Sequence, residues 1–320
     1  MLASNAQGFQ YIPELVALST QEPPAPEDDV TLDPSRRAAL RAAEARAAGP
    51  LPAPTVAAKK DPLKDPTVNP DPKNEFAPND SYKTIDGVAT VKGAGDAHAV
   101  DPSDVKQGSL GDCYFVAQLA ATARTDPDRI ANLIKDNGDG TYTVTLHLRD
   151  AQGKRSPKEI VVDSQFPQKG AAKTGDVGAD GKPELWPMLI EKAFAKFSGG
   201  YEQIRGKKTK DSDVFAMLSG KASSNLTPSS LTGEALLTKL EKALADGHAV
   251  SFGAKSSTDD TFISAMKAAG VVGNHAYSLE SVDRAGKTVN LRNPWGVQHL
   301  PKLTVENLQK FYDTCKIAAE

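Results

Sequence analysis

Residues Gln107 to Phe115, QGSLGDCYF, constrain the fold most: a loop of small residues must deliver Cys113, one of two cysteines in 320 residues, to the start of a helix. From Cys113 to Ala123 the chain holds good helix formers, with no Gly or Pro before Pro127, so the helix opens at the cysteine with Asp112 as its N-cap. A cysteine in a first turn meets unpaired backbone N–H groups and the positive end of the helix dipole, which lower a thiol pKa from about 8.5. Gly108 and Gly111 suit a close approach to that helix. The loop can thereby aim the Gln107 carboxamide at an oxyanion beside the Cys113 N–H. On these residues alone two readings stand, a nucleophile and a small buried hydrophobe.

A nucleophilic thiol needs a base, and the base needs an orienter. The segment GNHAYSLESVDRAGKTVNLRNPWG supplies both. Ala276 to Val282 and Lys287 to Leu291 read as strands joined by a turn over Asp283 to Gly286. Facing positions of an antiparallel hairpin have numbers of constant sum, so position 275 lies opposite about 293–295 and His275 meets Asn293 at the hairpin mouth. A carboxamide there holds the imidazole in the tautomer that faces a thiol. Trp295 could shield that hydrogen bond from water, or pack as an ordinary core aromatic. His98, His147, His248 and His299 read as structural or surface residues, and His299 follows the hairpin without a partner. Cys315 belongs to VENLQKFYDTCKIA, where Leu308, Phe311, Tyr312 and Cys315 recur at helical spacing, which places it in a core helix.

Together these blocks resemble the calpain-like cysteine peptidases, which share the papain-like fold. EIVVDSQFP and ELWPMLIEKAFAKFSGGYEQI, between Glu159 and Ile204, extend the likeness, as does the final VENLQKFYDTCKI, so that it spans roughly residues 82 to 318. The resemblance implies an α+β, two-lobed core with a helical first lobe (82–210) and an antiparallel β second lobe (211–320). It makes Cys113 the nucleophile, His275 the general base and acid, Asn293 the orienter and Gln107 the oxyanion donor, with Trp295 and Gly111 supporting the cleft. The implied function is a cysteine endopeptidase of the intracellular type, acting on protein or peptide substrates through a thioester. The alternatives are another cysteine-dependent acyl transfer, such as glutamine deamidation on proteins, or a peptide-binding module without activity.

The chain also departs from the family pattern. Tyr114 stands where a tryptophan usually follows the nucleophile. After LRNPWG the chain runs VQHLPKLTVENL, so an acidic calcium-binding loop looks deleted. Asp104 and Glu202 match two acidic positions of a second calcium site, but two carboxylates are too few for an ion that takes about six to eight oxygens, and Lys207, Lys208 and Lys210 lie nearby. No cofactor or metal is expected, and activity is expected to be independent of calcium. DNGDG, Asp136 to Gly140, lacks the spaced acidic pattern of a calcium loop and reads as a hairpin turn.

Charged residues make up 25% of the chain and the net charge is −3, so no nucleic-acid partner is indicated. No run approaches the length of a membrane span, and no basic-then-apolar secretory leader opens the chain. Two distant cysteines, one needed as a free thiol, suit a reducing compartment. A cytoplasmic location or export by a non-classical route is expected. Residues 1–81 are rich in Ala, Pro and Asp and read as a disordered tail. Within it, Ser35 to Ala48 is a marginal helix, and FQYIPELVAL is an apolar patch that a partner could read.

Overall fold

The computed structural model describes residues 65–68, 81–93, 96–206, 209 and 211–319. The expected helix at 35–48, the apolar patch and most of the N-terminal tail lie outside them. The part of the tail inside them is anchored rather than disordered: Asp65 pairs with the buried Lys192 ammonium at 2.6 Å, the Tyr201 amide donates to Thr67 O at 2.9 Å, and Val68 packs on the first core. The physical reason is Lys192, whose charge in the core requires carboxylates, and Asp65 and Asp163 both supply one.

The first lobe is built around two helices, α1 (Cys113–Thr125) and α3 (Trp186–Ser198), whose faces stack Phe115 on Phe194 with ring centroids 5.4 Å apart. Between them in sequence come α2 (Pro127–Asn132) and an antiparallel sheet of β2 (Ile134–Asp136), β3 (Thr141–Arg149) and β4 (Arg155–Asp163). TYTVTLHLR alternates half-buried with buried residues along β3, as a strand with one face on a core must. A separate two-stranded ribbon pairs β1 (Tyr82–Thr84) with β5 (Gln165–Pro167). Helix α4 (Val214–Ser219) also belongs to this core through Val214, Met217 and Leu218, so the change of lobe falls after α4 rather than at 211.

The second lobe is a six-stranded antiparallel sheet in the order β10-β9-β8-β7-β11-β6. Its strands are β6 (Ser224–Leu226), β7 (Val250–Ala254), β8 (Ala276–Asp283), β9 (Thr288–Arg292), β10 (Leu300–Thr304) and β11 (Tyr312–Ile317). Helices α5 (Gly233–Ala245), α6 (Asp260–Ala268) and α7 (Val305–Phe311) accompany the sheet. Thr232 caps α5 from its side chain, and Leu236, Leu237 and Leu240 on one face are fully buried.

The expected C-terminal helix is split. It stops at Phe311, and Tyr312 begins a strand that lies between β7 and β6, with Cys315 paired to Phe252 and Leu226. Helical spacing and strand placement both bury Cys315, but only the open sheet edge beside β7 offers hydrogen-bond partners for Tyr312 to Ile317. That tertiary demand overrides the local pattern.

Candidate active site

Asp112 sits at the N-cap of α1, but its side chain does not cap the helix. Its carbonyl accepts from the Phe115 and Val116 amides, which leaves the first-turn amides free of side-chain partners. The Cys113 and Tyr114 amides and the Ala276 amide on β8 all favour the thiolate, yet burial outweighs them and pushes the thiol up to about 11. The expected lowering by the helix end is thus overcome by desolvation. Buried Cys315, remote from any such donors, is pushed further, to about 12, again by burial.

The β8–β9 hairpin places the histidine. Ser278 pairs with Arg292, and continuing that register outward by three residues sets His275 across from Trp295, with Asn293 two positions along the same strand direction. His275 Nε2 lies 3.0 Å from Asn293 Oδ1. The same oxygen accepts the Trp295 amide at 3.0 Å, and the Trp295 ring covers the imidazole with centroids 4.7 Å apart. Trp295 remains 37% exposed, so it is a cover for the imidazole and not a core residue. Asn293 is completely buried and His275 nearly so, and burial moves His275 below its ordinary pKa against the pull of the Asn293 hydrogen bond. Tyr277 meets the imidazole edge-on at 5.2 Å.

Cys113 and His275 line the same cleft, about 1580 Å³ in volume, together with Gln107, Gly111 and Trp295. Gln107 is anchored from both lobes: its amide donates to Pro294 O at 2.8 Å, and its Nε2 donates to Leu110 O at 2.8 Å and to Asp112 Oδ1 at 3.2 Å. The close approach expected of the loop occurs at Gly108, where an added Cβ would collide with the carbonyls of Gly170 and Ala171. At Gly111 an added Cβ would meet only Arg205 Nε, at an ordinary 3.7 Å.

Arg292, which sequence reasoning did not single out, and His299, read there as having no partner, hold this arrangement. Arg292, buried in the strand just before Asn293, donates to Val105 O at 3.0 Å and reaches Ser103 O at 3.5 Å, which ties the second lobe to the chain leading into Gln107. His299 does have a partner, since its Nδ1 accepts the Asn293 amide at 3.1 Å. The available signal was a charged residue closing an otherwise apolar strand, TVNLR.

Asp104 keeps different company from that expected. Glu202 pairs with Arg205 at 3.2 Å, whereas the carboxyl beside Asp104 is Glu184, whose proton Asp104 helps to hold. One oxygen each of Asp96, Asp104 and Asp176 lie within 4.8 Å of one another. Asp104 is fixed by the Asp101 amide at 2.8 Å and Trp186 Nε1 at 3.2 Å, and Lys106 reaches Asp176 at 3.3 Å. Glu184 Oε2 and Asp96 Oδ2 are buried without a hydrogen-bond partner, and burial followed by Asp104 raises Glu184 to about 9. Three clustered carboxyl groups with Glu184 beside them, two of the four carrying a buried oxygen without a partner, fit a divalent cation such as calcium better than the two carboxylates counted from sequence. None of the four lines the cleft. After LRNPWG, residues 293–299 join β9 to β10.

Residues 95–301 match the model of the calpain family cysteine proteases. Calpain-type cysteine protease DEK1 of Arabidopsis thaliana is 32% identical over 213 residues, which is 63% of this chain and 9% of that protein. Calpain clp-4 of Caenorhabditis elegans is 32% identical over 202 residues, 60% of this chain and 27% of that protein. The calpain-2 catalytic subunit of Macaca fascicularis is 30% identical over 206 residues, 61% and 28% respectively. The match thus covers less than a third of each relative's length. Among the described residues no helix is long and apolar enough to cross a membrane. A cleft that joins a helix-start cysteine to a hairpin His–Asn pair, on a two-lobed α+β core matched over residues 95–301, places this chain in the calpain family of cysteine proteases.

Proposed function

We propose that this chain is a cysteine endopeptidase that hydrolyses peptide bonds of proteins, with Cys113 as nucleophile, His275 as general base and acid, Asn293 as orienter and Gln107 as an oxyanion donor. The observation that carries the reading is the 3.0 Å contact of His275 Nε2 with Asn293 Oδ1 in the cleft that holds Cys113. Because Asn293 Oδ1 accepts, Nε2 bears the proton and Nδ1 offers a lone pair. Burial raises the thiol and lowers the imidazole, so both rest neutral. As Sγ bonds to the substrate carbonyl carbon, its proton passes to His275 Nδ1. The oxyanion then meets the Cys113 amide and a Gln107 N–H released from Leu110 O, while Asp112 keeps hold of the other. His275 returns the proton to the leaving amine, and water hydrolyses the thioester.

The reaction uses no metal. If a divalent cation binds, Asp96, Asp104, Asp176 and Glu184 would hold it, and it would neutralise their mutual repulsion away from the cleft. Hydrolysis is proposed to proceed without calcium because Arg292 and the Gln107–Pro294 hydrogen bond already join the lobes. The decisive test is peptide mapping of protein substrates incubated with wild type and Cys113→Ala. New termini that appear only with wild type are expected. Cleavage by Cys113→Ala would overturn the assignment, and a one-dalton gain at glutamines without new termini would favour deamidation.

A further inference from the structure

Under the loop from Gln107 to Asp112 lie two completely buried carboxyl groups, Asp112 itself and Glu191 in the middle of α3. Glu191 accepts the Ala172 amide with both oxygens, at 3.0 and 2.9 Å. Asp112 Oδ1 accepts Gln107 Nε2 at 3.2 Å, while Asp112 Oδ2 is buried with no donor. Glu191 is the side chain that faces Asp112 across this buried space. Ionised carboxylates only accept, so a hydrogen bond between them requires a proton.

Among the described residues no cation competes for this place. The groups that face the pair are Cys113 and Tyr114 on α1, Tyr201 after α3 and Tyr82 on β1. Lys192, next in sequence to Glu191, is turned to Asp65 and Asp163, and Arg205 is turned to Glu202.

We infer that Asp112 and Glu191 share a single proton, and that this carboxyl pair positions the Gln107 carboxamide for oxyanion binding. The inference rests on the proposed role of Gln107. It explains three features together: why Asp112 forgoes capping α1, why Glu191 is buried in a helix face otherwise apolar, and why Gly108 is pressed against Gly170 and Ala171. Glu191 holds Ala172 on one side and Asp112 on the other, so the loop is fixed from beneath through a chain of hydrogen bonds to Gln107. Burial raises Asp112 to about 6 and Glu191 well above the usual carboxylate range, which keeps the proton in place at neutral pH. Loss of the proton puts two like charges in contact and a second charge near Cys113, whose thiolate Asp112 already disfavours.

The positioning role predicts an alkaline limb in kcat, with KM little changed, as the shared proton leaves. Glu191→Gln keeps a hydrogen facing Asp112 and an acceptor for Ala172 but cannot lose that proton, so it should retain kcat at neutral pH and lack the alkaline limb. Glu191→Leu should lose kcat about 10–100-fold, the range for removing one charge-assisted positioning contact. An identical alkaline limb in wild type and Glu191→Gln would overturn the role. The proton itself is read without activity, by the infrared C=O band of dry carboxylic acid in Cys113→Ala against Cys113→Ala/Glu191→Gln. The difference should contain one protonated carboxyl, and the contribution of Glu184 cancels. An empty difference spectrum would refute the shared proton, whereas absence of turnover in wild type would instead refute the peptidase reading.

Discussion

Gly108→Ala tests whether the loop geometry matters for catalysis. The added methyl would meet the carbonyl oxygens of Ala171 and Gly170 and approach the Ala171 carbonyl carbon to 2.7 Å, all of them backbone atoms. That is about 0.8 Å short of a comfortable carbon–carbon contact near 3.5 Å. Neither side yields easily: the Leu110 amide donates to Gly170 O at 2.9 Å, Glu191 holds Ala172, and the Gln107 amide is fixed to Pro294. Overpacking of this kind costs about 1–3 kcal/mol, which lowers the melting temperature by about 2–4 °C per kcal/mol in a domain of this size. A loop displaced by close to 1 Å carries Gln107 with it and disturbs the entry to Cys113, and misplacement on that scale costs about 100-fold in rate. The expected outcome is a roughly 100-fold fall in kcat with KM little changed, measured on a fluorogenic peptide, alongside a modest fall in thermal midpoint. Gly111→Ala, with its added methyl at an ordinary 3.7 Å from Arg205 Nε, should lose at most a few-fold. Wild-type kcat in Gly108→Ala, or equal losses in the two variants, would refute the reasoning.

Three further outcomes follow from the geometry. His275 must be neutral to accept the thiol proton, and burial lowers its pKa below 6.5, so kcat/KM should fall as pH drops below that value. The thiol, protonated up to about 11, adds no alkaline fall below pH 8, so any alkaline limb should be the one that Glu191→Gln removes. A fall beginning below pH 8 that persists in Glu191→Gln would indicate a resting thiolate–imidazolium pair instead. Arg292→Met removes the charged donor to Val105 O and should reduce kcat/KM about 10–100-fold, the equivalent of one lost charged hydrogen bond of about 1.5–3 kcal/mol; a loss under threefold would show that the lobes align without it. Calcium should raise the thermal midpoint of wild type but not of Asp104→Asn/Glu184→Gln, while a chelator leaves turnover within a few-fold. Turnover abolished by chelator and restored by calcium would show that the carboxylate cluster governs the cleft.

Much of the site is local enough to be written in the chain. Cys113 needs only a helix start, which Asp112, the helix formers to Ala123 and the distant Pro127 specify. His275 meets Asn293 at the hairpin mouth, as the place of the turn leads one to expect, although an irregularity between Leu279 and Ser281 shifts the register by one and sets His275 across from Trp295. The lobes and the helical-then-β order follow from periodicity and resemblance.

Other parts depend on neighbours far away in sequence. Tyr312 to Ile317 became a strand because β7 presented unpaired backbone groups to it. Asp65 became ordered because Lys192 needed a counter-charge, and Asp104 found Glu184 rather than Glu202. The sign of the Cys113 shift reversed for the same reason: helix-end electrostatics is a property of one segment, whereas desolvation is set by everything packed around the sulfur. By itself the sequence picked out the proposed reactive groups, since these depend on residue type and local hydrogen-bond geometry. The tertiary structure decided their protonation, their clamps and their carboxylate neighbours, because burial and long-range contacts exist only once both lobes are formed.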